Sequence, residues 1–98
     1  MERVNVISKR AIREFAERHP DGLVPLMQWF RLAKKANWAH IIEVREQFPT
    51  ADAVPPFTVF NIAGNKYRLI AEIEYLRKVV HIRQVLTHAE YDRGAWKR

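Results

Sequence analysis

Apolar residues recur at helical spacing in the first half of the chain and alternate with polar residues in much of the second half. The segment Val4-Asn5-Val6-Ile7 predicts a short first strand, and Ser8 stands where a helix N-cap belongs. The spacing then predicts three helices: one that ends near His19, one over residues 23–36 and one around residues 39–47. Residues 50–56, which include Pro55 and Pro56, are predicted to form a loop.

From residue 57 onward the pattern predicts a three-stranded meander, and two turns set its register. Gly64-Asn65 predicts a two-residue hairpin turn, because Gly readily adopts positive φ. This turn pairs Val59 with Ile70, Asn61 with Arg68 and Ala63 with Lys66 on one face, and Phe60 with Leu69 and Ile62 with Tyr67 on the other. A second turn at Leu76-Arg77 pairs Ile73 with Val80 and Ala71 with Ile82 on the apolar face, and Glu72 with His81 and Ile70 with Arg83 on the polar face.

These elements predict an α+β fold in a single domain over residues 1–98. The predicted sheet is antiparallel, with the three-stranded C-terminal meander plus the N-terminal strand, and two to three N-terminal helices pack on it. The chain has no cysteine, which excludes a disulfide framework and thiolate metal sites. It has neither a signal-peptide pattern nor an apolar run of membrane-spanning length, so we expect a cytoplasmic protein without a membrane partner.

The charge balance adds the first indication of function. Seventeen Lys and Arg residues against eleven Asp and Glu residues give a formal net charge of +6 and a pI near 10.1. A basic domain favours nucleic acid, anionic lipid or an acidic protein as its partner, although extra cations also serve solubility. Eleven of the seventeen cations are Arg, the side chain best suited to bidentate phosphate contacts.

The polar face of the predicted meander collects cations, namely Lys66, Arg68, His81 and Arg83. Arg68 and Arg83 lie within two strand spacings of each other, each of about 4.8 Å, so they could clamp a phosphate between them. Surface pairing of these arginines with Glu72 or Glu74 is the alternative. His81 faces Glu72 in this register, so a cross-strand pair explains it as well as a phosphate contact does.

A polar cluster, Thr87-His88-Ala89-Glu90-Tyr91-Asp92, follows the last strand. His88 can take and give a proton near neutral pH, and Tyr91 can donate a hydrogen bond, stack on a base or act as an acid or base. Their three-residue spacing puts them on one side of a helical turn, where Glu90 and Asp92 could orient the imidazole. The alternative is a final helical turn that Thr87 caps, with Tyr91 packing its ring.

Two further patterns bear on binding. Lys34-Lys35 lie near a predicted helix C-terminus and form a second candidate patch for phosphate, although the helix dipole also explains cations there. The four His residues stand at no recognised ligand spacing, so no metal site is predicted. Three isolated Gly residues cannot make a Gly-rich phosphate loop.

Two C-terminal motifs together carry a family resemblance: Phe60-Asn61-Ile62-Ala63-Gly64-Asn65-Lys66-Tyr67-Arg68-Leu69 and Thr87-His88-Ala89-Glu90-Tyr91-Asp92. With the opening Val6-Ile7-Ser8-Lys9-Arg10-Ala11 and the His19-Pro20-Asp21 turn, they closely resemble the HigB family of the RelE/ParE-like superfamily. The resemblance covers residues 4–93. It implies a small RelE-like toxin of a type II toxin–antitoxin system that cleaves mRNA, typically mRNA bound to the ribosome, without a cofactor. It also implies a helix-turn-helix antitoxin of the HigA type as partner. The toxin is then expected to contact operator DNA only through this antitoxin.

The resemblance also implies roles for residues. Relatives cut RNA without metal: the 2′-hydroxyl attacks the adjacent phosphate, a base removes its proton, and an acid protonates the leaving 5′-oxygen. By position, Arg68 matches the strand arginine that holds the scissile phosphate, His88 matches a second basic residue, and Tyr91 approximates a catalytic tyrosine. Lys66 is the only cation just before Arg68, where some relatives have a lysine pair, so the general base stays open. The predicted RNA- and phosphate-binding residues are Asn61, His81, Arg83, Lys34 and Lys35.

Two other functions remain open on the same fold. One is a binding toxin that poisons gyrase, as the ParE branch does, and the other is an RNA-binding module without chemistry. The cluster of His88 and Tyr91 favours the nuclease, because a protein that only binds does not need a proton-transfer pair.

Overall fold

The computed structural model of the protein, which describes residues 5–7 and 9–97, contains a five-stranded sheet in the order β1-β5-β4-β3-β2. The strands are β1 (Asn5–Ile7), β2 (Asp52–Val54), β3 (Phe57–Ile62), β4 (Tyr67–Glu74) and β5 (Val79–Thr87). The helices are α1 (Lys9–Arg18), α2 (Leu23–Lys35), α3 (Ile41–Gln47) and α4 (His88–Arg93), with 3₁₀ turns at Pro20–Gly22 and Ala95–Lys97. This arrangement confirms the predicted α+β class.

Two details of the sheet differ from the prediction. β1 pairs with β5 in parallel, whereas the other strand pairs are antiparallel. Residues 52–54, predicted as loop, form β2 against β3, with Val54 opposite Phe57 and Asp52 opposite Val59. A strand of three residues that ends just before two prolines is too short to show an alternating pattern in the sequence. Val4 and Ser8, predicted to belong to the first strand and to cap the first helix, lie outside the described residues.

The predicted register of the first hairpin is confirmed. Val59 lies opposite Ile70 and Asn61 opposite Arg68, and Gly64 takes a φ of 68° in the turn. The conformation needs a residue that tolerates positive φ, and Gly does so without a Cβ penalty. Local turn chemistry is therefore enough to place Arg68 on the face opposite the helices.

The register of the second hairpin is only half right. Ile73 with Val80, Ala71 with Ile82 and Glu72 with His81 pair as predicted. A β-bulge between Ile70 and Ala71 then shifts the pairing, so Ile70 faces Gln84 instead of Arg83. A bulge inserts one extra residue into a strand, here into β5, and changes where every later side chain points.

Apolar side chains pack on both faces of the sheet. The main core lies between the helices and one face and includes Ile12, Phe15, Leu26, Trp29, Phe60 and Leu69. A second cluster on the opposite face joins Val59 and Ile70 to Trp96 of the C-terminal 3₁₀ turn, with Tyr91 packed beside them. The C-terminal segment therefore folds back over part of the face that was predicted to be open and polar.

Candidate active site

The candidate site lies at the end of the sheet where β4 starts and β5 stops. Tyr67 pairs with Thr87, so the first turn of α4 lies beside the hairpin that joins β3 to β4. A capping box fixes the start of α4: the Glu90 amide donates to Thr87 Oγ1 at 3.2 Å, and the Thr87 amide donates to Glu90 Oε1 at 2.9 Å. Gly94, with a φ of 77°, ends this helix in the left-handed conformation.

Arg68 is buried, with only 8% of its surface exposed. Its Nη1 donates to the carbonyl oxygens of Asn65 at 3.0 Å and Tyr67 at 3.2 Å, and its Nη2 donates to Asn65 Oδ1 at 2.5 Å. A guanidinium has five N–H groups, so these bonds leave Nε–H and one Nη2–H for another acceptor. Asn65 thus holds the arginine in one orientation, a role that its place in a predicted turn does not reveal.

Tyr91 is engaged by two neighbours. The Arg68 guanidinium lies over its ring, with 5.2 Å from Cζ to the ring centroid. Trp96 stacks almost parallel to the same ring, with centroids 5.0 Å apart and planes inclined by 13°, and its Nε1 donates to the Tyr91 carbonyl at 2.9 Å. The ring of Tyr91 therefore packs against its neighbours, as in the alternative that the sequence left open for this residue.

His88 and Asp92 form a pair along α4. Nδ1 of His88 lies 3.0 Å from Oδ2 of Asp92, one helical turn away, and both side chains are about half exposed. A carboxylate that accepts from Nδ1 orients the imidazole and leaves Nε2 for proton transfer. Glu90, the other predicted orienting residue, instead closes the capping box with Thr87, and this hydrogen bond lowers the pKa of its carboxyl.

Lys66 does not join Arg68 on the predicted cationic face. Its ammonium bonds to Asp21 in the 3₁₀ turn between α1 and α2, on the helical side of the sheet. The same carboxylate accepts from the Tyr67 hydroxyl at 2.7 Å. The hydrogen bond to Asp21 raises the pKa of Lys66, and the Lys66 and Tyr67 bonds lower the pKa of Asp21. Lys66 is therefore held as a cation, which does not suit a general base.

Arg83 and His81 lie elsewhere on β5. Arg83 Nε donates to Glu72 Oε1 at 3.0 Å, which is one of the alternatives left open by the sequence. His81 bonds to the carboxylate of Glu74, its diagonal neighbour, although its backbone lies opposite Glu72. Arg68 pairs with Leu86, three residues beyond Arg83, a separation of about 10 Å along the strand. The predicted clamp of Arg68 and Arg83 does not form.

The remaining predicted binding residues fall into two places. Asn61, half-buried, lies opposite Arg68 in the sheet. Lys34 and Lys35 are exposed in the last turn of α2, in the helical layer. With Arg31, also exposed, they form a basic patch separate from the site at α4.

Asp21 and Trp96 are two further members of this region that the sequence did not single out. Asp21 precedes Gly22 in a turn signal, and a turn gives no indication of a partner on a distant strand. Trp96 stands two residues after the helix-ending Gly94, and a lone aromatic near a chain end gives no spacing pattern.

Neither a membrane span nor a metal centre is found in the part of the chain that the structure describes. No helix in residues 5–7 and 9–97 combines the length and apolar character needed to cross a bilayer. Within the same residues, no three His, Asp or Glu side chains gather closely enough to hold a metal ion.

The arrangement combines a buried guanidinium with two free N–H groups, a phenol whose ring lies against it, and an imidazole 3.0 Å from a carboxylate on the same short helix as the phenol. These are groups that bind an anion and move protons, carried on a small α+β sheet of the RelE-like kind. This defines the class of the protein as a small α+β domain of RelE-like fold with a candidate site for an anion.

Comparison with known proteins identifies the family. The profile of the HigB family, described as the RelE-like toxic component of a toxin–antitoxin system, matches residues 24–94, and the chain belongs to this family. It is 29% identical over 93 residues to a protein named mRNA interferase HigB from Escherichia coli O6:H1 strain CFT073, covering 92% of this chain and 90% of that protein. It is 27% identical over 92 residues to the mRNA interferase toxin HigB of Escherichia coli K12, covering 91% and 88%, and matches the Shigella flexneri protein equally. The family predicted from the two C-terminal motifs is confirmed.

Proposed function

We propose that this toxin is an endoribonuclease that cleaves mRNA without a metal ion and so inhibits translation. Its relatives of similar length carry the name mRNA interferase, and the chain covers about nine-tenths of each. The observation that carries the proposal is the contact of Arg68 with Tyr91 on the helix that also holds the pair of His88 and Asp92. The group proposed to bind phosphate and the groups proposed to transfer protons then lie at the same end of the sheet.

The proposed reaction is a transfer within the RNA. The 2′-oxygen attacks the adjacent phosphorus while its proton passes to a base, and the bond from phosphorus to the 5′-oxygen breaks. The leaving 5′-oxygen takes a proton, so the products are a 2′,3′-cyclic phosphate and a 5′-hydroxyl. Arg68 offers its free Nε–H and Nη2–H to the non-bridging oxygens, where negative charge grows in the transition state.

His88 and Tyr91 supply the proton transfers in this scheme. Asp92 Oδ2 lies 3.0 Å from Nδ1 of His88, on the side of the ring away from Nε2, and Nε2 takes the proton from the 2′-hydroxyl in this scheme. Tyr91, whose ring lies against the Arg68 cation, gives its hydroxyl proton to the leaving 5′-oxygen. Lys66, tied to Asp21, contributes positive charge near the hairpin and does not act as the base.

An antitoxin is the family's implied partner and RNA its implied substrate, since the family is the toxic half of a toxin–antitoxin system. We propose a helix-turn-helix protein as that antitoxin and the ribosome as the place where mRNA is cut. The exposed patch of Arg31, Lys34 and Lys35 supports contact with a second stretch of phosphates, since it lies on the helical layer away from Arg68.

The test is primer extension on mRNA after induction of the toxin. Wild-type toxin should produce discrete cuts and arrest growth, while Arg68→Ala and Tyr91→Phe should leave mRNA intact. Arg10→Ala is a matched control, because Arg10 is exposed on α1 and pairs with Glu14 at 3.1 Å, one turn along the same helix. Intact mRNA with blocked DNA replication in induced cells would contradict the proposal and favour a gyrase poison.

A further inference from the structure

We infer that Asp21 is a positioning residue for Arg68, acting through the hairpin between β3 and β4. Asp21 lies in the 3₁₀ turn Pro20–Gly22, on the opposite side of the sheet from Tyr91, and its side chain bonds to the hairpin. The inference rests on the proposed role of Arg68 in cleavage.

On the helical side, one carboxylate holds two consecutive hairpin residues. Oδ2 of Asp21 accepts from the Lys66 ammonium, and Oδ1 accepts from the Tyr67 hydroxyl at 2.7 Å. The partners are 45 and 46 residues away in sequence, so the contact ties the α1–α2 turn to the first residues of β4. Charge-assisted hydrogen bonds of this kind are shorter and stronger than neutral ones.

On the other side of the sheet, Arg68 forms hydrogen bonds with the residues on either side of Lys66. Its guanidinium bonds to both oxygens of Asn65 and to the carbonyl of Tyr67, which flank Lys66. Residues 65–67 are therefore bonded to Asp21 on the helical side of the sheet and to the Arg68 guanidinium on the opposite side. A shift of Lys66 and Tyr67 would move Asn65 and, with it, the acceptors that orient the guanidinium.

The Tyr67 ring has little room to move sideways. It meets Phe15 edge-on with centroids 4.9 Å apart and lies 5.5 Å from the His19 ring. A Cβ built on Gly22 would stand 3.3 Å from Tyr67 Cε2, closer than most real contacts of this kind. Packing limits the movement of the Tyr67 ring, and the hydrogen bond from its hydroxyl to Asp21 ties the end of the side chain to the 3₁₀ turn.

The rate experiment compares Asp21→Ala with Asp52→Ala. Asp52 is an exposed carboxylate paired with Arg45 at 3.8 Å on the edge strand β2, so its loss should leave cleavage unchanged. Asp21→Ala should lower the saturated cleavage rate about tenfold or more, with KM within about twofold, because a misplaced group loses rate more than ground-state binding. In an Arg68→Ala background, Asp21→Ala should lower the residual rate no further. An equal loss in both backgrounds, or a loss confined to KM, would overturn the inference.

A second measurement does not depend on cleavage. The Nε–H signal of Arg68 in ¹H–¹⁵N spectra should shift and exchange faster with water in Asp21→Ala and in Tyr67→Phe, but not in Asp52→Ala. Tyr67→Phe removes only the hydroxyl, so it serves if Asp21→Ala fails to fold. An unchanged Arg68 signal in a folded variant would reject the positioning role. If Arg68→Ala retained full cleavage, the proposed role of Arg68 in cleavage would be wrong. The spectra would still show whether Asp21 positions the Arg68 guanidinium.

Discussion

The guanidinium of Arg68 lies over the ring of Tyr91, 5.2 Å from Cζ to the ring centroid, and so joins strand β4 to the C-terminal helix α4. A partly desolvated contact of this type contributes about 1 to 2 kcal/mol. It also brings the phosphate-binding group and a proton donor of the proposed reaction within one contact distance. The proposed active site is therefore also a packing contact that holds α4 on the sheet.

Arg68→Ala should reduce both cleavage and stability. Loss of one transition-state contact lowers the rate by about a hundredfold or more. Stability should also fall, by about 2 kcal/mol, because truncation leaves the oxygens of Asn65 and the carbonyl of Tyr67 without their buried donor. Single-turnover cleavage and thermal unfolding measure the two effects. A variant as stable as Arg10→Ala would show that the buried contacts contribute little.

Tyr91→Phe should distinguish the contribution of the hydroxyl from that of the ring. The stack on Trp96 and the contact with Arg68 remain, so the melting temperature should stay close to that of the wild type. The rate should fall by about 10²- to 10⁴-fold, the usual contribution of one positioned acid or base, with RNA affinity little changed. His88→Ala should act the same way, with His40→Ala as its exposed control. A drop in affinity as large as the drop in rate would assign these residues to binding.

The sequence predicted the elements whose signals are local. The Gly64-Asn65 turn placed Arg68 opposite Asn61, and the cluster after β5 formed a helical turn capped by Thr87, which was the alternative that the sequence left open. Turn and cap chemistry act over a few residues, so no knowledge of the tertiary fold was needed.

Long-range contacts account for the rest of the site. The bulge in β5 moved Arg83 away from Arg68, and the partner of Lys66 lies 45 residues away at Asp21. Tyr91, which stacks on Trp96, lies against an arginine that the strand pattern alone predicted to face solvent and that is buried in the fold. Nothing in a short window of sequence reports which distant side chain will pair with or cover another.

Trp96→Ala should disturb both the second core cluster and Tyr91. Trp96 is only 3% exposed, and truncation of a buried Trp costs about 3 to 5 kcal/mol. Trp96→Phe keeps an aromatic ring for the stack but loses the Nε1 bond to the Tyr91 carbonyl. We expect Trp96→Phe to retain most of the cleavage rate and Trp96→Ala to lose most of it under conditions where both are folded. Equal rates for the two variants would mean that the stack does not place Tyr91.

Stability should fall as the solution becomes acidic. The pKa of Asp21 is lowered from 3.8 by its bonds to Lys66 and Tyr67, that of Glu90 from 4.5 by the Thr87 amide, and that of Glu74 from 4.5 by His81. Each folded-state pKa lies below the unfolded value, so each contribution is present above the unfolded value and lost as pH falls through the folded one. Melting temperature measured from pH 7 down to 2 should drop mainly below about pH 4.5. The melting temperature of Glu90→Gln should fall less between pH 7 and pH 2 than that of the wild type, because Gln does not titrate. If the two curves had the same shape, groups other than Glu90 would account for the loss of stability in acid.

The basic patch on α2 should affect docking and not chemistry. Lys34 and Lys35 lie on the helical layer, away from the Arg68 site, so their reversal to Glu leaves the phosphate-binding guanidinium in place. We expect Lys34→Glu/Lys35→Glu to weaken RNA or ribosome binding and to reduce the slope of log affinity against log salt by about 0.7 to 0.9 for each phosphate that the variant no longer neutralises. The saturated cleavage rate should stay within about twofold of the wild type, because the transition-state contacts are untouched. Arg10→Glu/Arg13→Glu on α1 makes the same change in net charge at exposed positions and should keep the wild-type slope if the contact is local to α2. Equal weakening by both double variants would show that total charge, and not this patch, governs binding.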